Sequence, residues 1–86
     1  MDHDVPLGWE EAEGRLTRSF TFSTFSQAWA FLSQVALAAE RADHHPEIWN
    51  EWNRVRLSIT THDAGNTVTV KDIRLASAIN KLTALS

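Results

Sequence analysis

From Arg15 onward, apolar and polar positions alternate: Leu16, Phe20 and Phe22 share one face, and Arg15, Thr17, Ser19 and Thr21 share the other. That is the period of a half-buried β-strand. Arg18 falls on the apolar face, so its guanidinium should lie at a strand edge or snorkel to water. At Thr24 the period becomes helical, with Phe25, Ala28, Trp29, Leu32, Val35, Ala36 and Ala39 recurring at three and four to predict one buried stripe. Thr24-x-x-Gln27 is a capping box, the hydroxyl accepting from a backbone N–H while the amide reaches back. The helix should stop near Asp43, because the residue before Pro46 is pushed out of the α region.

Alternation returns after a His-His-Pro corner. Val55, Leu57 and Ile59 alternate with Arg54, Arg56, Ser58 and Thr60, predicting a two-faced strand. Asp63-Ala64-Gly65-Asn66 is turn chemistry, and the β-branched Thr67–Val70 stretch should pair back as a hairpin. Thr69-x-x-Asp72 is a second capping box with Asp in place of Glu, opening a helix that turns Leu75, Ala78, Ile79, Leu82 and Leu85 inward. Toward the N-terminus, Trp9–Ala12 reads as a short strand and Glu13-Gly14 as a turn, after a flexible lead-in over residues 1–8 that holds Pro6 and Gly8. The order is ββαββα: an α+β single domain over residues 1–86, with an antiparallel four-stranded sheet and two helices, near 24–43 and 70–84, on one face.

Composition narrows the function classes. The chain has 86 residues and a net charge of −3, with no basic run, which argues against direct nucleic-acid binding, since phosphate contact needs clustered Lys and Arg. It has no cysteine, so it carries neither disulfides nor thiolate chemistry, which fits the cytoplasm. No apolar run is long enough to span a bilayer, and the acidic N-terminus is not a signal peptide. A core this small, with four Trp, predicts a homo-oligomer, a dimer above all and otherwise a tetramer, built on a strand edge or a helix face.

Candidate chemistry concentrates between Glu40 and His62, which hold three of the four histidines: His44, His45 and His62. Histidine both gives and takes a proton near neutrality. Glu40 and His44 share a face if the helix reaches that far, whereas His44 and His45 cannot share one in helix or strand. Pro46 fixes a corner from which one of the pair can face a pocket and the other brace it. Taken singly, each has a plainer reading: a solvated histidine, a solvated glutamate, a capping Asp72, core or interface indoles at Trp49 and Trp52. His3, in the lead-in, is given no role. Histidine and carboxylate are also zinc ligands, but no close pair such as His-x-x-x-His occurs, and no metal is expected.

Taken together, Glu40-x-x-x-His44-His45-Pro46, Trp52, His62 and Asp72, flanked by Phe20-x-Phe22, Thr61-His62-Asp63 and Asp72-Ile73-x-Leu75-Ala76, resemble the signature of the pterin-4a-carbinolamine dehydratases. The resemblance runs from Trp9 to Leu82. It implies removal of water from a 4a-hydroxytetrahydropterin to give quinonoid dihydropterin, recycling the pterin used by aromatic amino acid hydroxylases, with no metal or organic cofactor. It also implies an antiparallel sheet with helices on one side, and a dimer or tetramer. By the same resemblance His44 and His62 transfer protons, His45 holds the pterin, Glu40 orients or charge-tunes His44, and Trp52 walls the pocket. The family fold also serves as a dimerisation cofactor for a transcription factor and as a RuBisCO assembly factor, so a non-catalytic helper with a protein client such as RuBisCO is the alternative. This chain departs from the pattern in three places. It is too short before Trp9 for the family's N-terminal helix. Ile48 stands where many members have Trp, and Trp52 where Tyr is commoner. The turn after Gly65 is one residue longer.

Overall fold

The computed structural model describes residues 4–84. Met1–His3 and the expected inward Leu85 lie outside them. Strands β1 (Glu10–Ala12) and β2 (Arg15–Thr21) precede helix α1 (Phe25–Ala42); strands β3 (Glu47–Glu51) and β4 (Arg54–Ile59) precede helix α2 (Val70–Ala84). The sheet is antiparallel, in the order β1-β2-β4-β3. This is the expected α+β class, ββαββα, with both helices on one face. Among the described residues, no helix is long and apolar enough to cross a membrane.

Register explains the core. Leu16 pairs with Ile59, Arg18 with Leu57 and Phe20 with Val55, so directly opposed side chains share the helix-facing side. Leu16, Leu57, Ile59, Leu75, Val35 and Val55 are fully buried, each contributing about 1.5–3 kcal/mol relative to exposure. Arg18 snorkels as its position demanded: its guanidinium lies 4.6 Å from the Phe20 ring centre and donates to Asn80 Oδ1. Asn80 also accepts from Trp9 Nε1 at 2.8 Å and donates to Leu7 O at 2.9 Å, tying the start of the sheet to α2.

The first turn and the first cap follow the local chemistry. Glu13 and Gly14, at φ 53° and 77°, form a two-residue hairpin turn whose twist matches the strands. A Cβ on Gly14 would come within 2.1 Å of Asn66 O, so only glycine fits. Thr24 Oγ1 accepts from Gln27 N at 3.1 Å, and Gln27 Oε1 reaches back to Ser23 N at 3.0 Å. The helix closes at Asp43, whose left-handed φ of 52° puts its N–H on Ala39 O and Glu40 O.

Two expectations are corrected. The buried stripe of α1 is Ala28, Phe31, Leu32, Val35, Ala38 and Ala39; Phe25 and Trp29 are 50% and 57% exposed, and Ala36 is also exposed. The two stripes share Ala28, Leu32, Val35 and Ala39, and the burial is turned toward Phe31 and Ala38, the side facing β2 and β4. The fourth strand is Glu47–Glu51, not Thr67–Val70. Glu47, Asn50 and Glu51 suit an exposed edge, while Thr67 makes a single bridge to Thr61 and Val70 is already helical. Between them His62–Ala64 form one 3-10 turn.

Candidate functional site

Three chain segments meet where α1 ends, β4 ends and α2 begins. The left-handed Asp43 turns the chain off the helix axis, and His44 N donates to Ala39 O at 3.1 Å. The ring of His44 thereby swings toward the first turn of α2. Its Nε2 lies 2.7 Å from Asp72 Oδ1; the His44 side chain is 12% exposed and that of Asp72 fully buried.

Asp72 is held from several sides. Its Oδ2 accepts from Thr61 Oγ1 at 2.7 Å and from Thr69 N at 2.8 Å. The second contact is the capping box read from Thr69-x-x-Asp72. Thr61 and Thr69 hydroxyls are 2.7 Å apart. Since Thr61 gives its one proton to Asp72, Thr69 donates to Thr61, and Thr69 Oγ1 accepts from Lys71 N at 3.3 Å. A chain of donors therefore ends on one carboxylate. Burial pushes the Asp72 carboxyl up, but the bonds from His44 and Thr61, the Thr69 N–H and the His44 charge outweigh it and hold the group below its ordinary value. An ionised Asp72 can only accept, so His44 Nε2 carries a proton in either state of the ring and Nδ1 is the nitrogen left to gain or lose one.

His62 follows Thr61 directly, so the same network brings its backbone beside the His44–Asp72 pair. Its side chain is exposed, and its Nδ1 lies 2.7 Å from Asn66 Oδ1. His45 Nε2 meets Glu40 Oε1 at 2.7 Å, both side chains exposed.

Two expected pairings are corrected by this geometry. Glu40 meets His45, not His44, because α1 ends at Ala42 and the i,i+4 relation to His44 is lost; Asp72 takes the place at His44. Trp52 is 65% exposed and sits with Asn53 in the two-residue turn between β3 and β4. The length of β4, on the order of 20 Å, separates it from Thr61, so within one chain it cannot wall a pocket at His44. Trp52 has φ 50°, a conformation a bulky side chain adopts only under strain. Asn50 Nδ2 bridges Trp52 O and Arg54 O to hold it.

The residues that sequence reasoning did not place in the site are Thr61, Thr69 and Asn66; Asp72 stood in the family signature, but its bond to His44 was not expected. The available signal was the Thr69-x-x-Asp72 box opening the helix only a turn's length after His62. Among the described residues, no group of three or more His, Asp or Glu could hold a metal ion.

Comparison with known proteins identifies the family. The family model described as pterin 4 alpha carbinolamine dehydratase matches residues 2–82. A Rhodopseudomonas palustris (strain HaA2) protein bearing the name of a pterin-4-alpha-carbinolamine dehydratase is 52% identical over 77 residues, 87% of this chain and 75% of its own. A Rhizorhabdus wittichii protein of the same name is 51% identical over 81 residues, covering 92% and 82%. The crystal structure of a transcriptional coactivator/pterin dehydratase from Brucella melitensis superposes with a TM-score of 0.82 at 44% identity, over 88% of this chain and 82% of that one. A pterin dehydratase-like RuBisCO assembly factor of the alpha-carboxysome superposes at 0.74 with 20% identity, covering 94% and 95%, a likeness of fold alone. The chain belongs to the pterin 4 alpha carbinolamine dehydratase family.

Proposed function

We propose that the protein dehydrates a 4a-hydroxytetrahydropterin to the quinonoid dihydropterin by histidine acid/base catalysis. The reading rests on the family and on one observation above the rest: His44 is locked by a buried carboxylate beside the loop that carries His62. The 4a hydroxyl leaves as water once a proton reaches its oxygen, and the adjacent ring nitrogen gives up a proton as the new double bond forms. His44 and His62 transfer these protons, a contribution of about 10²–10⁴-fold for a positioned group. Asp72 fixes the His44 ring so that Nδ1 faces the substrate. His45, steadied by Glu40, holds the pterin. Trp52, which the resemblance assigns to the pocket wall, has no part in proton transfer here.

We also propose a homodimer working in the cytoplasm. Exposed aromatics support association: Phe25 and Trp29 stack at 6.1 Å between ring centres on the outside of α1. A helper role toward a client such as RuBisCO is supported only by a shared fold, while the pterin reading also has the histidine network. Titrating the labelled protein with a stable tetrahydropterin and following amide and ring resonances tests the site. Shifts should centre on His44, His45, Thr61 and His62; shifts confined elsewhere would overturn the assignment.

A further inference from the structure

We infer that Asn66 is a positioning residue for His62, fixing the ring with its proton on Nδ1 and leaving Nε2 as the nitrogen that exchanges protons. The inference builds on the dehydratase reading for its consequence in turnover, but its structural half can be measured without substrate. Asn66 Oδ1 lies 2.7 Å from His62 Nδ1, and a carboxamide oxygen only accepts, so Nδ1 must donate. In free solution a neutral imidazole prefers the opposite tautomer, with the proton on Nε2. The contact therefore imposes a state that His62 would not otherwise favour.

Both side chains are exposed, where water competes for such a bond. The loop's backbone counters this by holding Asn66 in place beforehand. Its N–H donates to Thr61 O at 3.1 Å, and Gly65 N donates to His62 O at 3.0 Å. The Asn66 carbonyl sits against Gly14, closely enough to exclude any Cβ there. Asn66 itself has φ 59°, left-handed backbone that Asn tolerates through its short polar side chain. The result is an opposed pair: His44 protonated on Nε2 against Asp72 with Nδ1 open, and His62 protonated on Nδ1 against Asn66 with Nε2 open.

The test uses full-length protein labelled with ¹⁵N and two-bond nitrogen–proton correlation spectra, recorded where the rings are neutral. Wild-type His62 should show its bare nitrogen at Nε2. Asn66→Gly keeps the left-handed backbone without strain and removes the carboxamide; His62 should move toward the Nε2–H form. Turnover should fall about threefold to tenfold, the worth of one neutral hydrogen bond, with KM unchanged. Asn66→Asp retains an acceptor oxygen and should restore the Nδ1–H form. A wild-type His62 protonated on Nε2, or an Asn66→Gly protein with unchanged tautomer, would overturn the inference. An inactive wild type that keeps the Nδ1–H form would overturn the dehydratase reading instead.

Discussion

Asp72→Asn keeps the shape of the most buried polar side chain and removes its charge. In the native protein Oδ1 receives His44 Nε2, and Oδ2 receives Thr61 Oγ1 and Thr69 N. A carboxamide has one acceptor oxygen, so one set of donors must meet an NH₂ group. If the NH₂ faces the threonines, the Thr69 N–H loses its partner. If it faces His44, the ring must present a bare Nε2 and change tautomer. A bond to a charged group contributes about 1.5–3 kcal/mol, and an orphaned buried donor costs about 1–3. Weakening one and orphaning the other sums to roughly 3 kcal/mol. At about 4–8 °C per kcal/mol for a domain of this size, Tm should fall by about 12–24 °C.

The effect should depend on pH in one direction. The fold holds Asp72 below its ordinary value, so the unfolded chain takes up a proton there at higher pH than the folded one does. The stabilisation is therefore fully present above the unfolded value, about 3.9, and is lost as pH falls through the lower folded value. Asn takes up no proton, so the gap between wild type and variant should narrow in acid. Urea unfolding near neutrality and at about pH 3 measures both quantities. A gap below about 0.5 kcal/mol at neutrality, the size of an ordinary surface change, or a gap that stays constant into acid, would refute the reasoning.

Other substitutions separate chemistry from folding. His62→Ala should cost turnover about 10²–10⁴-fold with stability unchanged in thermal melts, whereas His44→Ala should cost turnover and also about 1.5–3 kcal/mol through its bond to Asp72. His45→Ala should raise KM more than it lowers kcat, and Glu40→Gln should leave stability within about 0.5 kcal/mol because the pair is exposed. Trp52→Gly should stabilise the β3–β4 turn by about 1–2 kcal/mol, the cost of left-handed backbone for a side chain with a Cβ, read from urea midpoints.

The sequence made α1, α2, β2 and β4 legible because each has a strict period and its own punctuation. Thr24 and Thr69 announce the helix starts, and Leu16/Phe20 and Val55/Leu57/Ile59 mark the buried strand faces. Strand β3 was hidden because an edge strand buries little: Glu47, Asn50 and Glu51 carry no apolar alternation. Thr67–Val70 looked like a strand from its β-branched content, but Thr69 had already been claimed by the helix cap. Histidine positions were legible from composition and spacing. Their partners were not, because pairing at His44 turns on where α1 stops. One residue in left-handed backbone, Asp43, decides whether Glu40 or Asp72 meets His44. Asn66 lay in a segment that read only as a turn, and nothing in its spacing marks a side chain bonded to His62.

Proton transfer by His44 and His62 to and from a hydroxylated pterin is the step on which the proposed function turns. Its most direct test mixes the protein with freshly generated 4a-hydroxytetrahydropterin and follows quinonoid dihydropterin against the spontaneous rate in buffer. Wild type should accelerate dehydration, each single alanine variant should lose about 10²–10⁴-fold of that acceleration, and the double variant should lose less than the product of the two. A folded wild-type protein that leaves the spontaneous rate unchanged would contradict the account.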